Sequence, residues 1–245
     1  MTASSVFVAN DAAYLLTDTA VMSPHKSGVL WKLAPRVVQS ERLKIAVALT
    51  GESNVFEWEG GLVSPLGEVG ALFEASGNQQ EALEAFPHVL ENTDRMFSEL
   101  SNGSCNFRLT IALWSNSGPR GYFLCSKVNC LPGVEPFTLV PLKAEFVYPS
   151  VELQVDPERL ATDTSEAVAM IEAQRRKRRP EGSCAGHFTI GGEGQLTRVD
   201  RHGITTETLV RWPDRIGRKI DPGSRNLGGL LGWAGTWRLP AARSA

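Results

Sequence analysis

The sequence predicts an α+β fold, a four-layer αββα sandwich of two antiparallel sheets packed face to face and flanked by helices. Three observations carry the prediction. Strand-like segments come in adjacent pairs joined by turns. Helical segments fall between those pairs, whereas a doubly wound parallel sheet would alternate single strands with helices. The chain has 245 residues, 42% hydrophobic and 21% charged, enough to bury a sizeable core as a soluble protein.

The elements follow in order. Residues 4–9 read as a strand, Asn10-Asp11 as a turn and residues 13–19 as the returning strand. Residues 29–38 form a second apolar stretch, broken by 39–42. Residues 43–49 are nearly all apolar, as in a strand buried on both faces, and Thr50-Gly51 ends them. The period then changes. Leu66, Val69, Leu72 and Phe73 have helical spacing over 66–75. Residues 80–100 repeat it, with Pro87 predicting a kink or two shorter helices.

Strands return at 107–114 and 120–125 around a Ser-Asn-Ser-Gly-Pro turn. Short edge strands are expected at 137–142 and 145–148, limited by Pro136, Pro141 and Pro149. Asp163 with Glu166 resembles a helix cap, so a helix is predicted over 164–178. A last strand pair is expected at 187–198 and 204–211. Residues 1–212 thus read as one domain. Residues 213–245, rich in Pro, Gly and Arg, read as a C-terminal extension or loose tail.

Composition narrows the function classes. A net charge of −2 does not favour nucleic acid or an anionic membrane. The N-terminus lacks a basic region followed by an apolar stretch, and no apolar run reaches the roughly 18 residues of a membrane span. A soluble, cytoplasmic protein is expected. Cys105, Cys125, Cys130 and Cys184 form no CxxC pair, and the four histidines have no metal spacing, so neither zinc nor any other cofactor is expected. Gly191-Gly192-Glu193-Gly194 precedes no helix and reads as a turn or bulge, not a phosphate loop. The basic run Arg175–Arg179 reads as a solvated helix C-terminus, where the helix dipole favours cations. Contact with nucleic acid or a partner subunit is the other reading of it.

The chemistry of interest is at the N-terminus. Thr2 follows Met1, and a small second residue permits methionine removal. A terminal threonine holds a nucleophilic hydroxyl and its own base, an α-amino group of pKa roughly 7.7–8.0.

Here the chain resembles the proteasome-type N-terminal-nucleophile hydrolases: proteasome β subunits and the related bacterial ATP-dependent peptidase. That family has an Asp sixteen residues after the threonine, and Asp18 stands there in Leu-Leu-Thr-Asp-Thr. It then has a lysine some fifteen residues on, and Lys32 in Leu-Trp-Lys-Leu is fourteen after Asp18. Ala48-Leu49-Thr50-Gly51 resembles the turn that supplies an oxyanion-binding N–H, with Gly51 as donor. The segments 107–123, 165–168 and 181–186 resemble the family's central strand pair, third helix and nucleophile-supporting segment, so the likeness spans residues 2–211. The resemblance implies Thr2 as nucleophile, Lys32 lowering its pKa, Asp18 holding Lys32, and Gly51 stabilising the tetrahedral intermediate. It implies a threonine peptidase or amide hydrolase acting on a peptide or amide, assembled as a homo-oligomer such as a ring, with an ATPase among its partners.

The chain also departs from the pattern. Ala3 and Ser4 replace further threonines, the glycine pair after the second sheet strand is reduced to one, and residues 143–150 lack the supporting Gly-Ser-Gly segment. These departures point to the alternative, a non-catalytic structural or assembly protein on the same fold, comparable to proteasome α subunits. A small-molecule amidase is a third reading. Apart from catalysis, Asp18 reads as a strand-end residue binding turn amides and Lys32 as an exposed charge on a strand.

Overall fold

The computed structural model describes residues 2–23, 25–51, 56–58, 61–63, 65–101, 106–127, 130, 133–143, 145–180 and 184–223. It is a mixed α/β protein whose strand pairs are all antiparallel. In chain order the strands are β1 (Ser4–Val8), β2 (Ala12–Asp18), β3 (Ala20–Met22), β4 (Leu30–Leu33), β5 (Val37–Ser40), β6 (Ile45–Thr50), β7 (Phe56–Trp58) and β8 (Gly61–Val63). Helices α1 (Pro65–Ala75) and α2 (Gln79–Ser101) follow. Then come β9 (Arg108–Ser115), β10 (Gly118–Cys125), β11 (Val140–Leu142), β12 (Glu145–Tyr148), α3 (Ser165–Arg175), β13 (Glu193–Asp200) and β14 (Gly203–Arg211).

Two five-stranded sheets result, ordered β12-β1-β2-β13-β14 and β11-β10-β9-β6-β5, with two-stranded ribbons β3-β4 and β7-β8 beside them. Alternation along each strand divides its side chains between two cores. Val6, Ala13 and Leu15 of the first sheet meet Ala46, Ala48 and Ala112 of the second in a shared cluster of small residues. Phe7, Tyr14 and Leu16 turn the other way, onto Ala167, Met170 and Ile171 of α3. Ile45, Val47 and Leu49 pack on Phe73, Phe86, Leu90 and Phe97 of α1 and α2. Strands β2 and β6 are therefore buried along their whole length, as the run at 43–49 predicts for β6.

Several expectations need correction. The stretch 29–38 is two strands: β4 pairs with β3, β5 pairs with β6, and Pro35, which can donate no ladder hydrogen bond, lies in the break. Of the two outcomes expected at Pro87, two shorter helices are not found: α2 runs through it as one element, with Phe86 and Leu90 buried in the core. Helix α3 stops at Arg175, and Arg178 instead bridges to Phe188. Asp163 does bind the helix start, accepting the Ser165 N–H at 2.9 Å, but Glu166 accepts from Asp156 N–H and pairs with Arg159.

Strand β13 begins at Glu193, six residues later than expected, because the Gly191-Gly192 turn precedes it. Residues 213–223 are held to the domain at Asp214 and Ile220, although Ile216 and its neighbours are exposed. Ile220 is buried with Ala20 and Leu30, and Val29 bridges to Lys219. Residues 224–245 lie outside the described residues. No helix among the described residues is long and apolar enough to cross a membrane.

Candidate functional site

The end of the first hairpin sets the site. Ser4 pairs with Thr17, so Ala3 and Asp18 face each other one step further out, and Thr2 lies beyond them. Thr2 is buried, 3% exposed. The Asp18 carboxylate is wholly buried and accepts three backbone N–H groups: Ala3 at 2.9 Å, Ala20 at 3.2 Å and Gly191 at 2.9 Å. It therefore ties the peptide that follows Thr2 to its own strand end and to the turn before β13. These are the contacts of the plainer reading of Asp18, a strand-end residue binding turn amides.

The cation acting on this carboxylate is not the expected one. Lys32 is half-buried, and its Nζ lies 4.9 Å from the centroid of the exposed Trp31 ring. Arg36, directly before β5, is buried and donates from Nη2 to the carbonyl of Ala20. Its guanidinium supplies the positive charge that opposes burial at Asp18. Desolvation dominates even so and pushes the Asp18 carboxyl up to about 6, against Arg36 and the three N–H donors. Burial likewise lowers the pKa of Arg36, with Asp18 opposing. A signal for Arg36 was present in the sequence: an arginine between Pro35 and a β-branched strand start, at the junction of two strands.

Gly51 belongs to the same end. Thr50 pairs with Arg108, the Ser4 and Thr110 hydroxyls hydrogen-bond across the two sheets, and Leu49 N–H donates to the carbonyl of Arg36 at 3.2 Å. Gly51 has φ +125°, and a Cβ there would sit 1.8 Å from the carbonyl oxygen of Asn106. Only glycine fits. Among the described residues its N–H has no acceptor.

The supporting segment expected at 181–186 is only partly visible, since residues 181–183 lie outside the described residues. The segment found against Asp18 is the Gly191-Gly192 turn. Its frame is Arg175, which is buried and does not belong to a solvated helix end. Arg175 donates to both carboxylate oxygens of Asp214 at 2.7 Å and to the carbonyl of Ile190 at 2.9 Å. It also stacks 4.6 Å from the Trp212 ring. Asp214 in turn accepts the Gly192 N–H at 2.8 Å. Neither Arg175 nor Asp214 stands out in the sequence, because a basic run at a helix end and a polar tail suggest solvent.

A cleft of about 1000 Å³ lies at the opposite end of the second sheet, by Lys44, Gln79 and Trp114, away from Asp18. Among the described residues no group of three or more His, Cys, Asp or Glu could hold a metal ion. Compared with known proteins, the chain matches no protein-family model and no curated protein.

Proposed function

We propose that this chain is a proteasome-like N-terminal-nucleophile amide hydrolase of threonine type, built as a four-layer αββα sandwich, acting through Thr2 after Met1 is removed and working as a homo-oligomer. The observation that supports the reading best is the Asp18 carboxylate, which holds the N–H of Ala3 and with it the main chain of Thr2. The Thr2 α-amine, with a pKa of roughly 7.7–8.0, takes the hydroxyl proton as Oγ attacks the substrate carbonyl. The oxyanion meets the Gly51 N–H, a donor worth about 3–4 kcal/mol in comparable sites. The amine then returns its proton to the leaving nitrogen, and water releases the acyl group from the Thr2 ester. On this reading Arg36, the buried positive charge acting on Asp18, takes the part the resemblance gives to Lys32, lowering the pKa of the Thr2 hydroxyl.

A second reading, a non-catalytic structural or assembly protein on the same fold, draws on a different observation. The Lys32 ammonium lies over Trp31, so no lysine amine is found at Asp18 among the described residues. Intact mass before and after an epoxyketone or β-lactone separates the two. Loss of Met1 with a single adduct, absent in Thr2→Ala, is the expected result. A retained Met1, or a free Thr2 that never reacts, gives the second reading.

A further inference from the structure

We infer that the cleft beside the Thr2 end of β1 binds an extended acidic peptide, its carboxylate held among Arg108, Lys177 and Arg178 and its backbone laid along the open edge of β12. Three observations meet there. Strand β12 ends its sheet: one edge pairs with β1, and among the described residues no strand occupies the other. Such an edge offers a row of N–H and C=O groups to an added strand. Ser4 pairs with Tyr148, so the C-terminal end of β12 lies at the end of β1 that leads to Thr2.

Second, residues 146–150 line a cleft of about 430 Å³ together with Arg108, Cys130, Lys177, Arg178 and Pro180. No carboxylate is among its described lining residues. On β12 itself the carboxylate, Glu145, is at the far end, opposite Phe7. Third, two of the cations are held in place without a carboxylate partner among the described residues. The Arg108 guanidinium lies 4.3 Å from the Tyr148 ring centroid, and that of Arg178 lies 4.3 Å from the Phe188 ring centroid, with Nη1 donating to the carbonyl of Gly186. Arg108 also meets the Cys130 thiol, so Arg178 is the fixed guanidinium left without an anionic partner among the described residues, and such a group suits a carboxylate. The strand edge favours a peptide over a nucleic acid. The inference names a substrate class for the proposed hydrolase and rests on that reading only for what happens to the peptide once bound.

The test is calorimetric titration of the full chain with an acetylated, amidated hexapeptide carrying two aspartates, and with its asparagine twin. The acidic peptide should bind about tenfold more tightly at low salt, the gap closing as salt screens the exposed cations. Lys177→Gln, at an exposed position, and Arg108→Gln should each narrow the gap, while Thr2→Ala should preserve it. Equal affinities overturn the inference, as does a gap untouched by both variants. Tighter binding of a short single-stranded DNA than of the acidic peptide overturns it in favour of nucleic acid. A protein that binds the acidic peptide but never reacts with a β-lactone keeps this inference and loses the hydrolase reading.

Discussion

The N–H of Gly191 donates to Oδ2 of Asp18 at 2.9 Å, joining residues 173 apart in the sequence. With the bond from Ala3, it makes one buried carboxylate the meeting point of the chain start, the end of the first hairpin and the turn before β13. Arg36 supplies the opposing charge from the neighbouring sheet.

Asp18 should make stability depend on pH with a definite sign. Its folded pKa is raised to about 6, against about 3.9 for a free aspartate. The folded state therefore holds the proton more tightly. The contribution is fully present below about pH 4 and is lost as pH rises through about 6, a change of about 3 kcal/mol. Asp18→Asn removes it. Urea unfolding of both proteins should show the wild type losing about 3 kcal/mol relative to the variant between pH 4 and pH 7. A constant difference would mean that Asp18 does not titrate in this range.

Arg36 and Lys32 should behave very differently. Arg36→Ala leaves Asp18 buried without its opposing charge, which costs about 3–5 kcal/mol. Lys32→Ala loses a contact on an exposed ring, worth about 0.5–1 kcal/mol. Denaturant midpoints of the two variants decide the matter, and comparable losses would refute the assignment of the buried cation to Arg36.

This contrast shows what the sequence could and could not reveal. Strand pairing was legible because hydrophobic pattern and turn residues are local signals. The run 43–49 announced a doubly buried strand, and Asn10-Asp11 announced a hairpin. Asp18 was reachable by its spacing from Thr2. The cation was not, because Lys32 and Arg36 are four residues apart on either side of the strand interruption at Pro35, and which of them turns inward depends on the packing of two sheets. Gly191 and Asp214 were hidden for a related reason: their partners lie 173 and 39 residues away.

Gly51→Ala should be far worse than an ordinary glycine substitution. Its Cβ would lie 1.8 Å from a backbone oxygen, at a φ of +125° that L-residues avoid. The combined strain and overlap should cost about 3 kcal/mol or more. Gly118 also has positive φ, +101°, but open space around it, so Gly118→Ala should cost only the backbone share, roughly 1 kcal/mol. Urea unfolding of both variants gives the comparison, and equal costs would remove the steric account.

Cys130 should be the reactive thiol. A hydrogen bond from Cys125 holds its pKa down to about 6, with the charge of Arg108 assisting and burial opposing. The same bond, together with burial, raises that of Cys125. Iodoacetamide should therefore modify Cys130 with a midpoint near pH 6 and spare Cys125. Arg108→Gln should move that midpoint upward. Peptide mass mapping across a pH series reads both, and preferential labelling of Cys125 would contradict the pairing.

The Arg175–Asp214 pair should be worth more to the site than its distance from Thr2 suggests. Both side chains are 2% exposed, so removing either strands a buried charge, at about 3–5 kcal/mol. Replacing both, as Arg175→Met with Asp214→Leu, should cost much less than the sum of the single changes, because a buried pair and an apolar pair of similar volume are nearly equivalent. The local consequence differs from the global one. Asp214 accepts the Gly192 N–H, and Arg175 donates to the carbonyl of Ile190, so the apolar pair frees both ends of the turn that delivers Gly191 to Asp18. Amide exchange at Gly191 and Gly192 should quicken in the double variant even where overall stability is restored. Unchanged exchange there would show that Asp18 alone positions the turn, and that the segment 213–223 contributes to stability without supporting the site.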